Sequence, residues 1–463
     1  MTDLAFLPAV EQARRIRDRE VSPVELVDEY LGRADRLDPQ IHGYLTIAHD
    51  AARRAAKEAE AQAAVGVADL RPLFGVAVSV KDLIDTAGVT TTHGAQGYRD
   101  RIPSRDDGIV TRLRAAGCVV IGKTNTACYG VGSTDPVGFE ACRNPWDLSR
   151  TVGGSSGGAA ATVASGQCAI SLGGDGGGSI RIPAAHCGVV GIKASRGRVS
   201  TAPQLPSMVT QLGPLARTVA DAAALLDALA GPQTGDPYWP PPPQRPFLDE
   251  VGRDPGRLRI AVSATVPHAA ADPRNEAAVR VTADALERLG HHVIEATPPW
   301  PDRQIHDDFL RAYAAYLGSI RHRMPALETV DPIIQYLIDW VRPMSAIEYV
   351  EADNRMRQAS RDVVAFWDDV DVVVAPVTDA APGLVDRLRE VTTEEDAADG
   401  SLLVTSTFNI TGQPAFSLPV HVHDGLPVGV QVIGRPADEA TLFRVAAQLE
   451  AAIGWADRRP PVN

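Results

Sequence analysis

Two clusters of glycine and serine constrain the fold of this chain more than any other feature. They read Gly-Gly-Ser-Ser-Gly-Gly at 153–158 and Gly-Gly-Asp-Gly-Gly-Gly-Ser at 173–179. Glycine costs roughly 0.5–1 kcal/mol relative to alanine inside a helix or strand, so such runs gain little as core packing. Consecutive glycines leave their backbone N–H groups uncovered, so that a ligand oxygen can approach them. We therefore expect the clusters to border a binding site.

Short apolar strands alternate with helices on both sides of these clusters. Strands are predicted over 74–80, 118–122, 169–172, 258–262 and 370–376. Helices are predicted over 107–116 and 438–453. This alternation predicts an α/β fold, a single large domain with a mixed, twisted β-sheet covered by helices on both faces.

The predicted domain spans 1–463 and has three parts. We expect an N-terminal helical layer, a catalytic core and a helical insertion that lines the substrate pocket, over 1–65, 70–230 and 300–362. Aromatic residues concentrate in the insertion, among them Tyr313, Tyr336 and Trp340. They form either an apolar pocket wall or ordinary helix packing.

Charge and cysteine content limit the partners and the compartment. The 463 residues carry a formal net charge of −13, which argues against a general nucleic-acid or anionic-membrane surface. No apolar run of about 18 residues is present, so no membrane-spanning helix is expected. The five cysteines are odd in number and never spaced C-x-x-C, which favours a reducing cytoplasm without disulfides or a zinc site.

The glycine clusters allow several interpretations. The simplest is a tight turn needed only for chain reversal. A phosphate-binding loop would require G-x-x-x-x-G-K-[ST] or G-x-G-x-x-G, and neither is present. The nucleophile elbow of an α/β-hydrolase carboxylesterase matches G-x-S-x-G at 153–157, with His421 or His423 as the histidine. However, loop-like residues rather than an apolar strand precede that match.

A further interpretation uses both clusters together as an oxyanion site. The predicted strand at 169–172 leads into the second cluster, and Ser179 follows directly. The N–H groups of Gly176, Gly177 and Gly178 would hold a substrate oxygen while Ser179 attacks the carbonyl carbon. Pro183 suits the first turn of a helix, whose positive end would add to the effect.

A serine nucleophile requires a base, and Lys81 is the candidate. It ends a predicted buried strand. Desolvation would favour its neutral form, and moving its pKa from near 10.4 to near 7 requires roughly 4–5 kcal/mol. The alternative is a lysine that reaches solvent. We interpret His186 as a packing or pocket-edge histidine.

The motifs around these residues resemble the amidase signature family. They are Val-Lys-Asp at 80–82, Asn-Pro-Trp-Asp at 144–147, Asp-Gly-Gly-Gly-Ser-Ile-Arg-Ile-Pro at 175–183, and the segments at 409–414 and 425–431. The resemblance covers most of the chain and is weakest between 235 and 400. It implies the amidase signature fold and a reaction without metal or organic cofactor.

The resemblance also implies roles for individual residues. Ser179 would be the nucleophile, Lys81 the base, and Ser155 the serine between them, joined to Gly154 by a cis peptide bond. The oxyanion would rest on the N–H groups from Gly176 to Ser179. Further implied residues are a supporting shell and a loop residue that faces the site, namely Ser156, Asp175, Arg181 and Tyr129.

The implied activity is cleavage of the C–N bond of a small, apolar or aryl amide or carbamate, through an acyl-enzyme on Ser179. The first alternative is the A subunit of a tRNA-dependent amidotransferase, in which threonine usually follows the aspartate where Gly176 stands here. A catalytically inactive relative that only binds ligands is another. The expected binding partner is a small-molecule amide, and no binding to nucleic acid or membranes is expected. A homodimer is an assembly compatible with these expectations.

Overall fold

A mixed β-sheet of 11 strands runs through the protein. The computed structural model describes residues 3–65, 71–203, 209–267, 272–385 and 400–463. The strands are β1 Tyr44–Ile47, β2 Ala77–Lys81, β3 Val119–Thr124, β4 Arg143–Asn144, β5 Asp147–Thr151, β6 Ile170–Asp175, β7 Val190–Lys193, β8 Gln211–Ala216, β9 Arg259–Val262, β10 His292–Glu295, β11 Val372–Pro376, β12 Ala415–His423 and β13 Leu426–Gly434. Along the sheet they follow the order β1-β3-β2-β6-β8-β7-β12-β13-β11-β9-β10, and β4 pairs with β5 separately.

Helices alternate with most of these strands, as the sequence predicts. Their bounds are α1 Ala9–Arg17, α2 Pro23–Ile41, α3 His49–Ala64, α4 Gly108–Ala115, α5 Gly157–Ala164, α6 Arg181–Cys187, α7 Val219–Leu229, α8 Pro273–Arg288, α9 Arg303–Ser319, α10 Pro332–Val341, α11 Ala346–Ala365, α12 Gly400–Thr411 and α13 Glu439–Ile453. None of the helices described is both long and apolar enough to span a bilayer.

Alternate residues of the strands enter different hydrophobic clusters. Val372 and Val374 of β11 belong to the largest cluster, whereas Val373 and Ala375 belong to a separate one with Phe408. Successive side chains of a strand point to opposite faces of a sheet, so both faces are covered. The prediction of one mixed sheet between two helical layers is confirmed.

Local signals explain where helices begin. Ser22 caps α2 by accepting hydrogen bonds from the N–H groups of Val24 and Glu25. Thr218 caps α7 through the N–H of Asp221. These side chains satisfy N–H groups that have no partner within the first helical turn.

Strand β6 is longer than the sequence predicts. The predicted strand ends at 172, but pairing with β8 continues through Gly173, Gly174 and Asp175. Because the antiparallel partner takes up their backbone groups, Gly173 and Gly174 belong to the sheet rather than to an uncovered loop. The glycines that remain outside the sheet are 176–178.

Parallel pairing places the carboxyl ends of β2 and β6 on the same edge of the sheet. Strand β2 pairs with β6 in parallel, with Val80 opposite Leu172. Their carboxyl ends, at Lys81 and Asp175, therefore lie on one edge of the sheet, where α/β proteins commonly bind ligands. Helix α9 packs with α10 and α11 and reaches the glycines that follow β6.

Candidate active site

Lys81 is buried at the end of β2. Val78 and Val80 enter the largest hydrophobic cluster, so Lys81 points to the opposite face, where α5 packs on β2 and β6. Its Nζ atom lies 2.7 Å from Ser155 Oγ, 2.8 Å from Ser156 Oγ and 3.2 Å from the Gly174 carbonyl oxygen. The alternative of a solvent-exposed lysine is wrong, since the residue is only 2% exposed.

The partners of Lys81 suit a neutral amine. Ser156 Oγ donates to the Gly174 carbonyl at 2.9 Å and accepts from the Gly174 N–H at 3.2 Å. With its hydrogen engaged, Ser156 can only accept from Lys81, and a carbonyl can only accept. In the neutral form the two hydrogens of the amine satisfy these two acceptors and the lone pair faces the Ser155 hydroxyl, whereas the ammonium form would donate to Ser155 Oγ as well.

The pKa of Lys81 agrees with that arrangement. Burial lowers it to about 7, and the charge of Asp175 opposes this shift only in part. Near neutral pH a large fraction of the amine is therefore uncharged and able to accept a proton.

The loop with Ser155 is joined to the loop with Ser179. The Gly154–Ser155 peptide bond is cis, as the resemblance implies. The backbone N–H of Ser156 donates to the Ser179 carbonyl at 3.1 Å, and Thr126 Oγ1 donates to the Ser155 carbonyl at 2.8 Å. Gly154 leaves no room for a side chain, because a Cβ there would lie 2.1 Å from the Gly132 carbonyl oxygen.

Ser179 lies at the same pocket as Lys81 and Ser155 but is not hydrogen-bonded to them. All three line one cavity. Among the described residues, however, no hydrogen bond joins Ser179 Oγ to Ser155 Oγ, whereas the bond from Lys81 to Ser155 is present. The structure thus contains the contact expected for the first link of the predicted relay, and Ser179, the predicted nucleophile, lines the same cavity.

The predicted oxyanion donors fall into two groups. The N–H of Gly178 donates to Asp175 Oδ1 at 2.8 Å, so it is already engaged in this structure, and its role as an oxyanion donor stays a prediction. For Gly176, Gly177 and Ser179 the described chain provides no N–H acceptor. Gly176 and Ser179 line the cavity. These N–H groups are the ones that can receive a negatively charged oxygen.

Asp175 and Arg181 form a buried ion pair below this loop. Arg181 Nε lies 3.0 Å from Asp175 Oδ2, and neither side chain is exposed. Burial alone would raise the pKa of Asp175, but the charge and hydrogen bonds of Arg181 outweigh it and lower the pKa to about 2. The carboxylate stays ionised and holds the N–H groups of Gly178 and Ile180.

Two further side chains complete this network and have no predicted role. Arg181 donates to Asn409 Oδ1 at 2.6 Å and to Gln431 Oε1 at 3.1 Å. Both residues stand in the segments at 409–414 and 425–431 that carry the family resemblance. Both residues lie more than 200 positions from Arg181 in the sequence, so no local pattern predicts that they contact it.

The cavity has an apolar wall and a polar side. It holds about 550 Å³ of space free of atoms, part of it at the open mouth. The apolar side chains at the cavity are Leu83, Ile84, Ile109, Leu212 and Tyr313. Polar side chains besides the lysine and the two serines are Asp107, Thr201 and Thr210. A ligand with an apolar body and one reactive polar group suits such a lining.

Only one of the predicted aromatic residues lines this cavity. Tyr313 lies against Gly176, and its hydroxyl donates to the Tyr129 carbonyl at 3.3 Å. Tyr336 is 38% exposed, and Trp340 packs in the cluster formed by α9 and α10. Tyr129 does not line the cavity, since its ring stacks on His93 at 5.7 Å, and the neighbouring Gly130 lies there instead.

The histidines do not complete a serine triad. His186 is buried, and its ring has no hydrogen-bond partner among the described residues, which agrees with a packing role. Burial lowers its pKa to about 4. His421 and His423 lie at the end of β12 and do not line the cavity. Because Ser155 contacts Lys81 instead of a histidine, the esterase alternative is wrong.

Comparisons with known proteins agree on the family of this chain. The family model described as Amidase matches residues 25–443. "Putative amidase AmiB2" of Mycobacterium bovis is 38% identical, with 100% of this chain and 99% of that protein covered. The solved structure of 6-aminohexanoate cyclic dimer hydrolase with substrate has a TM-score of 0.93 at 32% identity, covering 99% of this chain and 100% of that chain.

Another relative has a different named activity. The A subunit of the glutamyl-tRNA(Gln) amidotransferase of Anaeromyxobacter sp. is 36% identical, covering 98% of this chain and 97% of that protein. The family match over most of the chain, together with these relatives, shows that the chain belongs to the amidase signature family and is a hydrolase acting on amides.

Proposed function

We propose that the protein cleaves small amides with an apolar or aryl body through an acyl-enzyme on Ser179. The observation that carries this proposal is the buried Lys81, whose neutral form directs a lone pair at Ser155. Neutral Lys81 takes the proton of the Ser155 hydroxyl, and Ser155 takes that of Ser179. The Ser179 oxygen then attacks the carbonyl carbon of the amide.

The charge that forms on the carbonyl oxygen needs donors. The N–H groups of Gly176, Gly177 and Ser179 are the proposed ones, because they have no acceptor in the described chain. As the C–N bond breaks, the proton returns through Ser155 to the leaving nitrogen, which departs as an amine. This proton delivery is required because an amine anion is a very poor leaving group.

Water completes the reaction. It attacks the acyl carbon, Ser155 and Lys81 accept its proton, and the proton is returned to Ser179 Oγ as the ester bond breaks. The products are a carboxylic acid and an amine. For a carbamate substrate the same steps release the amine first and then a carbonic acid monoester, which loses carbon dioxide and leaves an alcohol.

The cavity supports the substrate class. Leu83, Leu212 and Tyr313 offer apolar surface close to Ser179. The similarity to 6-aminohexanoate cyclic dimer hydrolase, at 32% identity, makes cyclic amides a natural choice beside aryl amides. The helical insertion over 300–362 contributes to this wall through Tyr313 of α9.

The test is hydrolysis of a panel of aryl amides, short aliphatic amides, cyclic amides, carbamates and esters. Ser179→Ala and Lys81→Ala should lose the amide activity of the wild type. Ser165→Ala is the control, because Ser165 is buried and, in the described chain, its hydroxyl bonds only the Ala161 carbonyl and the Gln167 amide. Full amide turnover by Ser179→Ala, or cleavage of esters alone by the wild type, would contradict the proposal.

The similarity to the amidotransferase protein of Anaeromyxobacter sp. supports a second candidate, a partner-dependent transamidase. The purified chain alone distinguishes the two. We expect amide hydrolysis without any partner. Transfer of ammonia to misacylated tRNA, in a reaction that requires a second large protein chain, would favour the amidotransferase.

The homodimer is tested separately by sedimentation of the purified protein. Every proposed catalytic group comes from one chain, so a monomer would still contain the complete site.

A further inference from the structure

Helix α12 places two polar side chains against the loop that follows β6. Thr405 and Asn409 are four residues apart, and residues with this spacing lie on the same face of a helix. Both are buried. The loop they contact, residues 175–179, contains the proposed oxyanion donors and the nucleophile.

The two side chains bind carbonyl groups of this loop. Thr405 Oγ1 donates to the Gly177 carbonyl. Asn409 Nδ2 lies 3.0 Å from the Asp175 carbonyl oxygen and 2.9 Å from Asp175 Oδ1. The amide orientation of Asn409 is fixed from its other side, because its Oδ1 accepts from Arg181 at 2.6 Å.

Holding a carbonyl also sets the direction of the next N–H. In a planar trans peptide the C=O and the N–H point in opposite directions. Because the Asp175 carbonyl faces Asn409, the N–H of Gly176 points away from α12. Gly176 lines the cavity together with Ser179, and its N–H has no acceptor in the described chain, which leaves this N–H available to a substrate oxygen.

The peptide between Gly177 and Gly178 is held by hydrogen bonds to both its carbonyl and its N–H. The Gly177 carbonyl accepts from Thr405, and the Gly178 N–H donates to Asp175. Position 178 requires glycine, since a Cβ there would lie 2.2 Å from Thr405 Oγ1. Ser179 follows this fixed peptide directly.

We propose that Thr405 and Asn409 are positioning residues of the oxyanion site, which they act on by holding the carbonyls of Gly177 and Asp175. The inference rests on the proposed function, because it assumes that the loop stabilises an oxyanion. Neither residue lines the cavity. Their loss should weaken stabilisation of the transition state while leaving ground-state binding in place.

The decisive variants change one atom at Thr405. Thr405→Val keeps the shape and removes the donor, and Thr405→Ser keeps the donor. With p-nitroacetanilide, or the panel amide that the wild type cleaves fastest, kcat of Thr405→Val should fall about 10- to 100-fold with KM little changed, in the range below complete loss of an oxyanion donor. Thr405→Ser should recover most of kcat.

Asn409→Asp tests the second contact. It keeps an oxygen for Arg181 but replaces the donor that faces Asp175 by an acceptor, so kcat should fall at least as far. Thr282→Val is the matched control, because Thr282 is a buried helical threonine that bonds only the Ala278 carbonyl, remote from the loop. Melting temperatures are measured in parallel, and Thr405→Ala replaces Thr405→Val if the latter is not recovered folded.

The outcomes separate this inference from the proposed function. Loss of turnover in Thr405→Val with recovery in Thr405→Ser supports the positioning role. Wild-type kcat in Thr405→Val or Asn409→Asp, while Ser179→Ala is inactive, overturns the positioning role alone. Full turnover by Ser179→Ala overturns the proposed function together with it.

Discussion

Lys81 Nζ lies 2.7 Å from Ser155 Oγ, and in the described part of the chain no carboxylate oxygen lies within 4.0 Å of it. Two other lysines are equally buried but are bound differently. Lys123 lies 3.6 Å from Asp82 Oδ1, and Lys193 donates to backbone carbonyls. Burial lowers the pKa of all three, yet only Lys81 contacts serine hydroxyls. This difference supports the proposal that Lys81 is the base.

The first prediction concerns the pH dependence of turnover. The base is active when neutral, and the pKa of Lys81 is lowered to about 7. We therefore expect kcat/KM to fall with decreasing pH, about tenfold per unit below pH 7, and to level off above it. The profile is measured on the free enzyme with an uncharged amide. A profile that is flat from pH 5 to pH 9 would contradict Lys81 as the base.

The second prediction concerns stability. Lys81 binds a proton below about pH 7 when folded and below about 10.5 when unfolded. Between these values the unfolded state binds more protons, so stability rises with pH over that range. Lys81→Met removes this dependence. From pH 7 to pH 9 the free energy of unfolding of the wild type should therefore rise by about 2–3 kcal/mol more than that of Lys81→Met.

Denaturant unfolding at both pH values measures this difference. Lys57→Met is the control, because Lys57 is an exposed residue of α3 and should leave the pH dependence as in the wild type. An identical pH dependence in the wild type and Lys81→Met would show that the amine titrates alike in both states.

The sequence predicts the sheet and the central residues of the site because their signals are local. The run at 118–122 is apolar and short enough for a strand, and β3 forms there. It misplaces the end of β6, because only the distant partner β8 decides whether Gly173 and Gly174 belong to the sheet. It also assigns Tyr129 to the site, whereas the Tyr129 ring stacks on His93 and the neighbouring Gly130 lines the cavity. Interactions over more than 200 residues, such as Arg181 with Asn409, have no local pattern.

The third prediction concerns the buried ion pair below the loop. Asp175→Asn leaves the Arg181 charge without its partner in a site closed to water, and breaking such a pair costs about 3–5 kcal/mol. We expect a loss of this size in the free energy of unfolding, measured by denaturant. Asp147→Asn breaks the partly exposed pair with Arg150 and should change stability by less than about 1 kcal/mol. Equal losses in the free energy of unfolding for the two variants would contradict the prediction that the buried pair contributes more to stability.

The fourth prediction concerns substrate selection by the apolar wall. Tyr313 lines the cavity beside Gly176, so Tyr313→Ala should enlarge it and shift the kcat/KM ratio of aryl to short aliphatic amides about 10-fold. Tyr313→Phe keeps the ring and loses only the bond to the Tyr129 carbonyl, so the ratio should stay close to that of the wild type. Tyr336→Ala is the matched control, because Tyr336 belongs to the same helical region but is exposed.

The two tyrosines separate a pocket role from a general effect of the helical region. Rates on the amide panel are compared together with labelling of Ser179 by a fluorophosphonate probe, which should remain in every tyrosine variant. A selectivity ratio that moves equally in Tyr313→Ala and Tyr336→Ala would contradict the pocket role. If only Tyr313→Ala moves it, the ring beside Gly176 is the part of the insertion that selects the substrate.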